Sequence, residues 1–215
     1  MRVELKFCGL TRASDARTAA ELGARYVGVI FAGGPRNLDP ARAREVLDAA
    51  GAGVERVGVF GRTDATSIAA VVRAARLDIV QLHADPTVSN VRAVRAATGA
   101  RVWAVVRVEG ELARDQLHDI WEASDALVLD SKVKGTLGGT GASFDWNAAE
   151  HAARVHPSPL VIAGGLTAAN VVQAIEALSP DIVDVSSGIE SSPGIKDHAR
   201  MADFIDAVRR AGVLR

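Results

Sequence analysis

Val3-Glu4-Leu5-Lys6-Phe7-Cys8-Gly9-Leu10-Thr11, then a helical stretch, then Tyr26-Val27-Gly28-Val29-Ile30-Phe31, decides the fold of this chain. A short apolar run gives way to a glycine turn, an Ala/Arg/Glu-rich segment of helical length follows, and a second apolar run opens. The unit recurs. Strands are predicted at Val3–Cys8, Tyr26–Phe31, Arg56–Phe60, Ile79–His83, Arg101–Val108, Ala126–Asp130, Leu160–Ala163 and Ile182–Val185. Helix starts are read at Asp39 before Pro40, Asp64, Thr87, Asp145 and Thr167, whose side-chain oxygens suit orphan backbone N–H groups. Gly23, Gly51 and Gly99 are the expected stops.

Eight βα units within 215 residues point to an α/β fold, a closed (β/α)8 TIM barrel with eight parallel strands. Strand count alone also admits an open doubly wound sheet. With 48% apolar residues the chain can bury one core, so residues 1–215 are expected to form a single catalytic domain. A net charge of −1 without a basic stripe argues against nucleic acid. One cysteine rules out an internal disulfide, and no signal segment or long apolar run is visible. A cytoplasmic protein that does not enter membranes is expected.

In such a barrel the active site lies where the strands end. Cys8 closes the first strand and reads as a catalytic thiol, against the commoner role of a lone cysteine as a small core residue. A thiol base needs a nearby positive charge. Lys6 shares the face of Cys8 one layer down, and closure would bring Asp184 of the last strand beside it, which predicts a buried Lys6–Asp184 pair. Asp130 ends the sixth strand after an apolar run. Alone it would pass for a loop anchor; facing a thiol, it reads as a general acid with a raised pKa.

The loops after the last two strands, Ala163-Gly164-Gly165-Leu166-Thr167 and Ser186-Ser187-Gly188-Ile189-Glu190, suit one phosphate at Gly164, Gly165, Ser187 and Gly188. Arg36, in Gly33-Gly34-Pro35-Arg36-Asn37, could clamp a carboxylate, although loop arginines are most often solvated. His83 is either a pocket wall or a satisfied rim histidine, and it has no companions for a metal cluster. Arg36, His83 and Asp184 form the expected substrate-facing set. The long glycine-bearing connection from Asp130 through Gly138-Gly139-Thr140-Gly141 to Trp146 reads as a lid.

The words Lys6-Phe7-Cys8-Gly9-Leu10-Thr11, Pro35-Arg36, Gln81-Leu82-His83, Leu129-Asp130-Ser131, Gly138-Gly139-Thr140-Gly141 with Phe144-Asp145-Trp146, Ala163-Gly164-Gly165-Leu166, and Val183-Asp184-Val185-Ser186-Ser187-Gly188-Ile189-Glu190 with Lys196-Asp197 arrive in order. Together they resemble the phosphoribosylanthranilate isomerases of tryptophan biosynthesis, from the first strand to the last helix. The resemblance implies an Amadori rearrangement of a small phosphoribosyl substrate, with no cofactor and no metal, by a monomer or homodimer. It implies Asp130 as the acid that opens the furanose ring, Cys8 as the base at C2, and Arg36 on the anthranilate carboxylate. The chain departs from the usual pattern at Phe7, Gly34 and Ala84, where the family commonly has Ile, Ser and Gly.

Other readings are a histidine-pathway or dual-substrate aminoaldose isomerase, a phosphosugar epimerase or aldolase, and a non-catalytic phosphosugar-binding barrel. The first would carry two phosphates and Asp in place of Cys8. An epimerase would need metal ligands at several strand ends, an aldolase a rim lysine. The binding barrel has no need for the Cys8 and Asp130 pair.

Overall fold

In the computed structural model, which describes residues 3–84, 86–108, 114–131 and 159–211, eight parallel strands close into a barrel in sequence order. They are β1 (Glu4–Phe7), β2 (Tyr26–Ile30), β3 (Glu55–Phe60), β4 (Ile79–Leu82), β5 (Arg101–Val108), β6 (Ala126–Ser131), β7 (Leu160–Ala163) and β8 (Ile182–Val185). Pairing of β8 with β1, in the register Leu5 to Val183 and Lys6 to Asp184, closes the ring and removes the open-sheet alternative. Around it lie α1 (Ala13–Glu21), α2 (Pro40–Asp48), α3 (Ala65–Ala75), α4 (Val88–Thr98), α5 (Arg114–Ala123), α6 (Val171–Leu178) and α7 (His198–Arg210). A small antiparallel hairpin, β9 (Glu190–Ser192) and β10 (Ile195–Lys196), follows the eighth strand.

Helix starts obey local chemistry. Asp39, Asp64 and Thr87 accept from the backbone N–H groups of Arg42, Ser67 and Asn90, and Gly99 stops α4 in the left-handed region. Thr167 is a correction: α6 begins at Val171, and Thr167 lies in the preceding loop, where its N–H donates to Asn170 Oδ1 at 2.8 Å. The start expected at Asp145 lies outside the described residues. Strand ends shift by one residue in places, with Cys8 and His83 just beyond β1 and β4. Their N–H groups still donate to Val185 O and Phe60 O, each at 2.9 Å, so both positions remain fixed by the barrel.

Alternation along each strand sorts the core into two layers. Tyr26, Val57, Ile79, Trp103, Val105, Ala126, Val128, Val161 and Ile182 pack together inside the barrel. Leu5, Phe7, Val27, Val80, Leu127, Ile162 and Val183 belong to the larger layer between strands and helices. The inner layer is apolar only below; toward the strands' C-terminal ends the same inward parity carries polar residues. Among the described residues no helix is long and apolar enough to cross a membrane.

Candidate active site

Inward parity brings Lys6 and Cys8, Gln81 and His83, Asp130, and Asp184 to the C-terminal end of the barrel interior. The deeper tier is ionic. Lys6 Nζ donates to Asp184 Oδ2 at 2.5 Å and to Gln81 Oε1 at 2.9 Å, with all three residues buried. Burial works against the ammonium, but Asp184 and then Cys8 outweigh it, and the Lys6 pKa stands above its ordinary value. The pair read from sequence is therefore formed. Gln81 was missed, although parity with His83 could have placed it inside.

Above this tier sits Cys8, buried and beside Gly28. A Cβ on Gly28 would stand 3.1 Å from Cys8 Sγ and 3.4 Å from Lys6 Cε, so the glycine leaves the slot both side chains occupy. Burial pushes the thiol up, Lys6 pulls it down, Asp184 pushes it up and Lys196 pulls it down; the balance is a raised pKa. Lys6 is thus where it was expected, but its charge is opposed at close range by Asp184.

Across the mouth, burial raises the Asp130 pKa, with His83 and Arg107 acting against it and Asp184 with it. Arg107 is the strand neighbour of Asp130 in the β5–β6 register. His83 Nε2 lies 3.6 Å from Asp130 Oδ2, and His83 Nδ1 is buried without a hydrogen-bond partner among the described residues. Asp184 Oδ1 is likewise buried and unpartnered.

Arg36 is not a solvated loop arginine. Its Nε and Nη2 donate to Glu190 Oε1 and Oε2 at 2.8 and 2.6 Å, a bidentate pair. Glu190 also accepts from Lys196 Nζ at 2.9 Å, and Lys196 Nζ donates further to Ser186 O at 3.0 Å. Burial lowers the Lys196 pKa more than Glu190 restores it. The hairpin bearing Glu190 and Lys196 is fastened to the turn behind Cys8. Arg12 Nη2 donates to Lys196 O at 2.7 Å, and Lys196 N–H donates to the buried carboxylate of Asp15 at 3.2 Å. Neither Glu190 nor Lys196 had been given a role from sequence, where no pattern marks either as buried.

The two glycine loops meet. Gly164 and Gly165 have φ of 83° and 65°, which glycine tolerates and L side chains resist. A Cβ on Gly188 would stand 1.9 Å from Leu166 O, so only glycine lets the loop after β8 lie on the loop after β7. Ser187 opens a short 3-10 turn, Ser187–Ile189, at that junction. The proposed phosphate residues are therefore adjacent. Residues 132–146 of the expected lid lie outside the described residues.

Comparison with known proteins gives one family. The model described as N-(5'-phosphoribosyl)anthranilate (PRA) isomerase matches residues 5–207. The N-(5'-phosphoribosyl)anthranilate isomerase of Acidithiobacillus ferrooxidans is 41% identical over 208 residues, covering 96% of this chain and 98% of that protein. The crystal structure of phosphoribosyl anthranilate isomerase from Thermotoga maritima aligns with a TM-score of 0.88 at 33% identity, covering 97% of this chain and 99% of that one. A structure of such an isomerase in complex with reduced 1-(o-carboxyphenylamino)-1-deoxyribulose 5-phosphate aligns with a TM-score of 0.85 at 31% identity, covering 97% and 99%.

Proposed function

We propose, from the premise that the chain belongs to the N-(5'-phosphoribosyl)anthranilate isomerase family, that Cys8 and Asp130 are the base and acid of its reaction. The enzyme acts in tryptophan biosynthesis, converting N-(5-phosphoribosyl)anthranilate to 1-(2-carboxyphenylamino)-1-deoxyribulose 5-phosphate. What supports the residue roles is the convergence of an inward thiol and an inward carboxyl at one mouth, beside an anchored arginine and two touching glycine loops.

Protonated Asp130 donates to the furanose oxygen, the C1–O bond breaks, and the anthranilate nitrogen's lone pair forms the iminium. Cys8 as thiolate then takes the C2 proton, and those electrons neutralise the iminium to an enolamine that tautomerises to the ketone. Burial serves the acid by keeping Asp130 protonated further up the pH scale. The same burial makes thiolate scarce, so catalysis runs through the minor form in which Asp130 holds a proton and Cys8 does not. The profile of kcat/KM against pH is then bell-shaped, and its plateau falls as the Cys8 pKa rises above that of Asp130.

Arg36, held by Glu190, presents its remaining guanidinium edge to the anthranilate carboxylate. The unpartnered Asp184 Oδ1 accepts from a ribose hydroxyl, His83 walls the pocket, and Gly164, Gly165, Ser187 and Gly188 cradle the phosphate. Residues 1–215 act as one catalytic domain in the cytoplasm, as monomer or homodimer, with no cofactor. Loss of anthranilate-type fluorescence from freshly generated substrate tests the reading. Cys8→Ala and Asp130→Asn should each lower kcat by about 10²- to 10⁴-fold. Full activity in either variant would overturn its assignment.

A further inference from the structure

Two clusters of charge flank Cys8, one buried and one partly so, and they differ in sum. Below it, the Lys6 ammonium meets the Asp184 carboxylate at 2.5 Å, one charge against one. Beside it, Arg36 and Lys196 share the single carboxylate of Glu190, at 2.6 Å and 2.9 Å, leaving one positive charge in excess. The Lys196 side chain is fully buried.

Backbone links bring the second cluster to the thiol. Cys8 N–H donates to Val185 O at 2.9 Å, and the carbonyl of the next residue, Ser186, accepts from Lys196 Nζ at 3.0 Å. The residue after Cys8 is pressed from the same side. A Cβ on Gly9 would stand 2.7 Å from Arg36 Cδ and 3.0 Å from Ser186 Oγ. The charged groups around Cys8 are thus Lys6 of β1, Asp184 of β8, Arg36 of the loop after β2 and Lys196 of β10, with Glu190 of β9 paired to the last two and Asp130 of β6 across the mouth. In a dry interior an unbalanced charge acts further than a matched pair.

We propose that Lys196 is a positioning residue for catalysis: it supplies the net positive charge that stabilises the Cys8 thiolate, while Glu190 limits that charge and holds it in place. This rests on the reading of Cys8 as the base. It also gives a role to the two buried ions of the hairpin, whose lysine holds the start of the loop after β8 through Ser186 O. The low-lying ammonium of Lys196 is consistent with a cation held at a cost beside a thiol.

Cys8 is the only cysteine, so the pH dependence of its alkylation by iodoacetamide in the full chain reports one thiol. Lys196→Met should raise the inflection by about 1–2 pH units, and Glu190→Gln, which removes the opposing charge, should lower it. Lys196→Arg should keep it near the wild-type value. Opposite signs in the first two variants separate charge from packing, since a merely structural hairpin would move both the same way or neither. Glu190→Gln and Lys196→Arg carry the test if Lys196→Met does not fold. An unmoved inflection in Lys196→Met, or a raised one in Glu190→Gln, overturns the proposal whatever the activity. The alkaline limb of kcat/KM should move with the alkylation inflection. If the inflection shifts as stated while the limb stays, Lys196 tunes the thiol but Cys8 is not the base.

Discussion

At the lower mouth of the barrel Tyr26 donates to Glu4 at 2.7 Å and packs edge-on against Trp103, with ring centroids 5.1 Å apart. Glu55 there is paired with both Arg25 and Arg101. At the upper mouth, among the described residues, His83 Nδ1 and Asp184 Oδ1 have no hydrogen-bond partner, and Asp130 and Cys8 are both held away from their charged forms. Polar groups that answer one another stabilise a fold. Groups left wanting a partner cost stability and are poised for a substrate. The two ends should therefore respond in opposite ways to substitution.

Asp130→Asn gives the largest separation. Activity should fall by about 10²- to 10⁴-fold, yet the variant should be at least as stable as wild type at neutral pH. The sign follows from linkage: the folded pKa of Asp130 lies above its unfolded value, so the wild type is most favoured below the unfolded pKa and loses that advantage as pH rises through the folded one. Urea unfolding of both proteins should show the variant's advantage at neutral pH and its disappearance in acid. A variant markedly less stable at pH 7 would place Asp130 with the structural groups and break the contrast.

Arg36 belongs to both kinds in the proposed reading, since Glu190 pairs two of its nitrogens and the third is assigned to the substrate. Arg36→Lys keeps the charge but loses the planar fork. We expect KM to rise about tenfold with kcat changed by less than about threefold, the mark of a group that binds rather than reacts. Steady-state kinetics decide, and an unchanged KM would leave Arg36 a purely structural partner of Glu190.

How much of this could be read beforehand depended on the range of the interaction. Caps at Asp39, Asp64 and Thr87 were legible because donor and acceptor lie within three residues. The Lys6–Asp184 pair was legible too, since parity and ring closure are general rules that span 178 residues without needing detail. Thr167 misled because Asn170, three residues on, takes its N–H into a turn that precedes α6. The Arg36–Glu190–Lys196 cluster was illegible: it depends on a hairpin of 3- and 2-residue strands folding back over the first turn, which no periodicity encodes. The thiol's raised pKa was also out of reach, because it is a balance of burial and three charges on three elements.

The lower mouth supplies the smallest effect and the cleanest control. Tyr26→Phe removes the hydroxyl that donates to Glu4 and keeps the ring on Trp103, so the cost should be about 1 kcal/mol of unfolding free energy, with kcat/KM within about twofold of wild type. Burial, then the bond and charge of Glu4, push the Tyr26 pKa up to about 12. A phenol whose folded pKa is raised contributes fully below its unfolded value near 10 and loses that contribution as pH climbs toward about 12. The wild type should therefore lose stability faster than Tyr26→Phe across that window, the two curves meeting within it. Parallel curves would mean that the phenol is no more satisfied in the fold than in water, and the lower mouth would no longer differ in kind from the upper.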